Sequence, residues 1–399
     1  MRKADWPLVK LSKVCDVESG AGFPLEYQGQ TNQQYPFFKV GDMNTHGNEQ
    51  EMRVYEHSIS EEVRQKLHAK AFPANSVIFP KIGAAIATNK KRKLVRPSCV
   101  DNNVMALVPS KKINPAYLYY LLINTDLSDF ASTGNPPSIR TTTIRSWEIP
   151  LPPLEEQQRI AEVLARADRL RRLRRAAREL SAGYLQAVFL QMFGDPVENP
   201  MGWPVYKLGN IVAVNPPLTR KIKEPDTQVT FVPMSAVDAE QVEIVGALIR
   251  PYIDVSKGFT AFEENDVLFA KITPCMENGK IVIAKNLYNG VGFGSTEFHV
   301  LRSGTETNPE WLLWLLRRPE FREQAQRSFT GTAGQQRVPT GFLKYCEVPL
   351  PPLPLQQRFA GVVRRFERLR AQQVEAERQA EALFQSLLAR AFAGGGARL

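Results

Sequence analysis

Glu148-Ile-Pro-Leu-Pro-Pro-Leu154, followed by Gln157-Gln158-Arg159, decides the architecture because the chain says it twice. Glu347-Val-Pro-Leu-Pro-Pro-Leu353, followed by Gln356-Gln357-Arg358, stands 199 residues further on. The pairs Pro152-Pro153 and Pro351-Pro352 cannot sit inside a helix, since proline lacks the backbone donor and its ring clashes with the preceding turn. Each phrase therefore ends one segment and opens the next.

Working outward, the duplication covers the chain. Trp6-Pro7 and Lys10-Leu11 return as Trp203-Pro204 and Lys207-Leu208. Asn75-Ser-Val-Ile-Phe79 with Lys81-Ile82 returns as Asn265-Asp-Val-Leu-Phe269 with Lys271-Ile272. Asn114-Pro115 before Tyr117-Leu-Tyr-Tyr-Leu-Leu122 matches Asn308-Pro309 before Trp311-Leu-Leu-Trp-Leu-Leu316, and Thr133-Gly134 with Arg140 matches Thr330-Gly331 with Arg337. The matches are collinear at offsets of 190 to 199 residues, which indicates two similar domains. Apolar stretches bounded by Gly, Pro and Asn predict strands at Val77–Phe79, Val104–Val108, Val267–Phe269, Ile281–Ala284 and Phe298–Leu301. Asn114–Asn124 and Asn308–Arg317 predict helices with an Asn cap and proline at the first helical position.

Behind each Pro-rich phrase runs a three-four alternation. It reads Ile160, Val163, Ala167, Leu170, Arg174, Ala177, Ser181, Tyr184, Val188, and again Phe359, Val362, Phe366, Leu369, Gln373, Ala376, Ala380, Leu383, Leu387. This predicts a coiled-coil seam, with Arg174 and Gln373 as the polar positions that fix register, the alternative being two long amphipathic helices that each pack on their own domain. In an antiparallel pair these two near-central positions should lie close together. The fold class expected is mixed α/β: two similar domains, residues 1–150 and 196–349, with long helices at 151–195 and 350–399, the latter ending in a flexible tail.

Composition narrows the function. The 399 residues carry a net charge of +10 and a pI near 9.4, which favours an anionic partner such as nucleic acid. No apolar run approaches the roughly 18 residues of a membrane span, and Met1-Arg-Lys-Ala-Asp-Trp6 lacks a signal peptide's apolar core. Cys15, Cys99, Cys275 and Cys346 form no C-x-x-C pair, in keeping with reduced thiols in a cytoplasm. His46, His57, His68 and His299 show no metal-binding spacing. Asn135-Pro136-Pro137 and Asn215-Pro216-Pro217 lack the aromatic residue that an amino-methyltransferase motif needs next. Gly290-Val-Gly-Phe-Gly294 opens no helix, and there is no phosphate-binding G-x-x-x-x-G-K-[ST] loop. The expectation is a chain without catalytic residues, metal or cofactor of its own.

Two variable α/β domains, each followed by E-[IV]-P-L-P-P-L, Q-Q-R and a long helix, resemble the DNA-specificity subunit of type I restriction–modification systems over essentially the whole chain. The resemblance implies that each domain is a target recognition domain reading one half of a split site in double-stranded DNA. It implies an antiparallel coiled coil that sets the gap. It also implies two methyltransferase subunits using S-adenosylmethionine, and two restriction/translocase subunits using ATP and Mg. A freestanding DNA-binding regulator and a coiled-coil scaffold are the competing readings.

Arg, Lys, Asn and Gln suit base edges, while phosphate contacts hold position. The candidates in the first domain are Lys81, Asn89, Lys90, Lys91 and Arg92, with Asn135, Ser138 and Arg140. In the second they are Lys271, Thr273, Glu277, Asn278 and Lys280, with Thr332, Gln335, Gln336 and Arg337. Repeat-matched positions (Lys81 with Lys271, Arg140 with Arg337) are expected to make shared contacts, and unlike neighbours to choose the base. The arginines of the first helix, Arg166, Arg169, Arg171, Arg172, Arg174, Arg175 and Arg178, form either a solvated face or a docking surface.

Overall fold

A computed structural model describes residues 6–181, 183–332 and 334–392. The expectations for the first five residues and for the C-terminal tail lie outside the described residues. The chain forms two compact units: Met1–Ala176 with Glu375–Leu399, and Ala177–Val374. Each unit thus holds one α/β domain and portions of both long helical segments.

In the first unit an antiparallel sheet carries β1 (Cys15–Ser19), β2 (Val77–Pro80), β3 (Arg92–Leu94) and β4 (Val104–Pro109) in the order β1-β4-β2-β3, with Glu51–Met52 added parallel to β3. Tyr35–Phe38 pairs antiparallel with Ser58–Ile59 and parallel with Cys99–Val100 in a smaller sheet. Helix α1 (Pro115–Ile123) starts where predicted, because the Asn114 side chain accepts the backbone N–H groups of Ala116 and Tyr117 at 2.9 and 3.1 Å. The chain closes on itself when Glu148–Pro150 pairs with Leu8–Lys10, and helix α2 (Leu154–Ser181) follows.

The second unit begins within α2 and continues through α3 (Tyr184–Phe193). Its main sheet holds β5 (Val212–Val214), β6 (Val267–Ala270), β7 (Ile281–Ile283) and β8 (Phe298–Ser303) in the order β5-β8-β6-β7, all antiparallel. This is the first unit's order again. The companion sheet repeats as well: Gln228–Val232 is antiparallel to Leu248–Pro251 and parallel to Val291–Gly294. Helix α4 (Pro309–Leu316) is capped by Asn308, and Glu347–Pro349 pairs with Val205–Lys207 before α5 (Leu353–Phe392).

The repeated glutamine explains the repeated phrase. Gln157 is buried; its amide donates to the Pro152 carbonyl (2.8 Å) and the Lys112 carbonyl (3.3 Å), and its oxygen accepts from Asn114 N (2.7 Å). Gln356 does the same with the Pro351 and Glu306 carbonyls (2.8 and 3.0 Å) and Asn308 N (2.8 Å). One side chain therefore ties the start of a long helix to the cap of the helix before it.

The helices pack antiparallel within each unit. In the first, Arg171 meets Glu381 and Arg175 meets Glu377, so partner numbers fall as α2 rises. In the second, Tyr184 stacks on Phe366 and Phe189 meets Phe359. The predicted seam holds in part: Tyr184 stacks on Phe366, and Ile160, Ala167, Phe359 and Ala380 are buried. Ala161, Leu164 and Asp168 are buried too, whereas Val163 and Leu170 are 41% and 40% exposed. The buried face follows the 3.6-residue period because α2 packs against α1 and the end of α5 together, which takes a wider stripe than a strict seam. Asp168, buried within it, is held by Arg171 at 2.8 Å. Arg174 is exposed; Gln373 is half-buried and its side-chain oxygen accepts from the Ser181 hydroxyl at 3.3 Å. The first helical segment is also divided. α2 ends at Ser181 and α3 starts after Gly183, where α5 runs on through Ala382, the residue at the matching place. Glycine at that point costs about 1 kcal/mol of helix propensity relative to alanine. No helix among the described residues is long and apolar enough to cross a membrane.

Candidate nucleic-acid interface

In each unit the chain leaves the central strand at a lysine and meets a returning loop. In the first, Ile139 N donates to the Lys81 carbonyl (2.8 Å) and Gly83 N to the Pro137 carbonyl (2.8 Å). In the second, Val338 N donates to the Lys271 carbonyl (2.9 Å) and Thr273 N to the Gln336 carbonyl (3.0 Å). The same loop pair is built twice from unlike residues.

These bonds correct the repeat match. Ile139 takes the place of Val338, and Ser138 bridges Ile82 as Arg337 bridges Ile272, so Ser138 is the counterpart of Arg337. Arg140 instead corresponds to Pro339, each capping the short helix that follows, Thr141–Ser146 or Thr340–Tyr345. Between the Thr-Gly step and the docked segment the second loop is longer, and backbone pairing, not residue identity, sets the register.

The candidates separate by what their side chains do. Lys91 leaves the set. It is 1% exposed, and its ammonium donates to Asn89 Oδ1 (2.5 Å) and the Thr125 carbonyl (2.6 Å). Burial pushes that amine down to about 8. Asn89 is a left-handed turn residue whose oxygen also accepts from Leu127 N (2.9 Å). Arg92 donates to the Lys91 and Met43 carbonyls (2.9 and 3.0 Å), and burial lowers its pKa. Both are framework residues. Lys90 bonds Asn44, and Lys280 donates to the Met234 carbonyl (3.0 Å). Glu277 accepts from Gln326 at 2.8 Å.

What remains faces outward around the loop pair. Lys81 donates to Ser19 Oγ at 2.8 Å, and Lys271 makes no side-chain hydrogen bond or ion pair among the described residues. Asn135, Asn278, Thr332 and Gln335 are exposed and Gln336 is half-exposed, whereas the Thr273 hydroxyl is buried and leaves the outward set. Arg140 is exposed and its guanidinium has no partner among the described residues. Ser138 lies against Ser132, 3.2 Å between hydroxyls. Arg337 grips Glu297 with Nε and Nη2 (2.9 and 2.8 Å), holding that carboxyl below the usual range.

Glu297 was not among the predicted residues, and neither was His299. His299 is buried, its Nε2 donating to the Val338 carbonyl (2.8 Å) and its Nδ1 accepting from the Asn215 amide (3.1 Å). Burial lowers its pKa and so favours the neutral ring, whose two bonds hold the returning loop. Asn215, of the Asn-Pro-Pro triplet, is thus a brace: its oxygen also accepts from Val300 N at 2.9 Å. No local motif marks Glu297 or His299, because their contacts span about forty residues of chain. Among the described residues no group of three or more His, Cys, Asp or Glu side chains could hold a metal.

Comparison with known proteins agrees with this duplicated plan. The chain is 36% identical over 167 residues to the type I restriction enzyme EcoEI specificity subunit of Escherichia coli, covering 42% of this chain and 28% of that one. The EcoAI specificity subunit of the same organism gives 36% over 175 residues, 44% and 29%. The chain thus matches less than a third of the length of those two relatives. The MjaIX specificity subunit of Methanocaldococcus jannaschii is 22% identical, across 90% of this chain and 86% of its own. The solved type I restriction-modification S subunit from M. genitalium shares the fold with TM-score 0.55 at 14% identity, covering 98% and 97% of the two chains. The family described as type I restriction modification DNA specificity domain matches residues 3–179 and 200–381, once per repeat. The chain belongs to the type I restriction–modification DNA specificity domain family.

Proposed function

We propose that this chain is the non-catalytic DNA-recognition subunit of a type I restriction–modification complex. Each unit reads one part of a split duplex site, and the long helices set the gap between the parts, with Gln373, which accepts from Ser181, as a polar position on the helix pair. The observation that carries this is the loop pair built twice on the same backbone hydrogen bonds with different outward side chains. A shared frame with unlike fingers is what reading two different half-sites requires, since phosphate contacts position and base-edge contacts specify. The net charge of +10 supports the duplex as ligand.

In this reading chemistry belongs to partners. Two methyltransferase subunits bring S-adenosylmethionine and the pocket that receives a flipped adenine. Two restriction/translocase subunits bring ATP and Mg. The whole works on cytoplasmic DNA. Binding of the chain, assembled with a type I methyltransferase subunit, to a randomised duplex library tests the proposal. Enrichment of one two-part motif, with affinity falling steeply as salt rises, is the expected result; sequence-independent binding contradicts it.

A further inference from the structure

We infer that Arg337 reads a guanine in the half-site of the second unit, and that Glu297 is the residue that positions it. The inference rests on the DNA-recognition reading and deepens it. An arginine has five N–H donors in a planar fork. Glu297 takes the side-on pair, Nε and one hydrogen of Nη2, at 2.9 and 2.8 Å, and the Gln335 carbonyl takes one hydrogen of Nη1 at 3.0 Å. One hydrogen on each terminal nitrogen is left without a partner among the described residues, on a side chain 39% exposed. A guanidinium plane fixed by Glu297 offers its remaining terminal donors to a base edge, and guanine O6 with N7 is the acceptor pair that arginine most often reads in the major groove.

Three further observations favour a base over a phosphate. The Glu297 carboxylate offsets the charge of Arg337 and repels the full charge of a phosphate more than the partial charges of a neutral base edge, and its clamp removes the side chain's rotational freedom in advance. The backbone is braced on both sides: Val338 N is held by the Lys271 carbonyl at 2.9 Å, and the Val338 carbonyl accepts from buried His299 at 2.8 Å. And the position is one where the two units differ. At the matching place the first unit has Ser138, and Asn103 precedes β4 where Glu297 precedes β8. Residues alike in both units serve the frame; this pair is unlike.

The test uses the full chain assembled with its methyltransferase and a randomised duplex library, comparing wild type with Arg337→Lys and Glu297→Gln. Arg337→Lys keeps the charge and loses the planar fork; Glu297→Gln keeps the size and loses the clamp. The expected result is a motif unchanged in one part and relaxed at a single G·C pair in the other, with discrimination there falling about tenfold. Thermal melting of each assembled variant is measured alongside. If Arg337→Lys fails to assemble, Glu297→Gln alone decides. An unchanged motif in a folded variant overturns the inference, as does weakening spread evenly over all sequences. A wild-type complex that enriches no two-part motif instead overturns the DNA-recognition reading itself, so the two failures are distinct.

Discussion

Replacing Gln157 with leucine tests whether the repeated phrase is a structural clamp. Leucine fills nearly the same volume but makes none of the three hydrogen bonds. Asn114 N and the buried Pro152 carbonyl then lose their partners at 2.7 and 2.8 Å, while the Lys112 carbonyl, bonded at 3.3 Å beside an exposed side chain, can turn to water. Two buried orphans at about 1–3 kcal/mol each, less a small gain from the added apolar surface, give a loss of about 2–4 kcal/mol. For a unit of this size that lowers the melting temperature by about 5–15 °C. Gln158→Leu is the control, because Gln158 is exposed and surface substitutions usually stay within about 0.5 kcal/mol. Differential scanning calorimetry of both variants reads the difference. Equal melting of Gln157→Leu and Gln158→Leu would refute the clamp, and Gln356→Leu against Gln357→Leu repeats the experiment in the second unit.

Three other outcomes follow from the geometry. Arg140→Ala, which removes an exposed guanidinium with no partner among the described residues, should weaken DNA binding evenly over sequences and lower the salt slope by about 0.9; an unchanged slope removes it from the phosphate contacts. His299 has a folded pKa below its ordinary 6.5, so as pH falls through that value the unfolded chain gains the proton first. Its contribution to stability is therefore present above about pH 6.5 and lost below it. The melting gap between wild type and His299→Gln should shrink between pH 7.5 and about 5.5, and a constant gap contradicts the assignment. Gly183→Ala should stabilise by about 0.4–1 kcal/mol, since its φ of −90° suits alanine and nothing lies within 4 Å of the added methyl; destabilisation in calorimetry would show that the break between α2 and α3 is required.

What the sequence made legible was local. The caps Asn114 and Asn308 with their following prolines, and the short apolar strands between turns, carry their signals within a few residues, and the structure has them in place. The helical face was read with a period slightly too short, because a face packed on two neighbours buries Leu164 and Asp168 where a seam would bury Val163. The site was legible as a place and not as a set of contacts. Lys81 and Lys271 do mark the loop pair, but the pairing of Ser138 with Arg337 emerges only once Ile139 and Val338 are bonded to those lysines. Lys91 looked like one more cation in a basic run; its burial follows from the Thr125 carbonyl, thirty-four residues away in sequence.

The central claim is that two unlike recognition units on one repeated frame read two separated stretches of DNA. Mapping methyladenine across the genome of a host that expresses the chain with a type I methyltransferase subunit tests it most directly. The account predicts one asymmetric motif in two parts, separated by a fixed unspecified gap, with a methylated adenine in each part. A single continuous motif would contradict it.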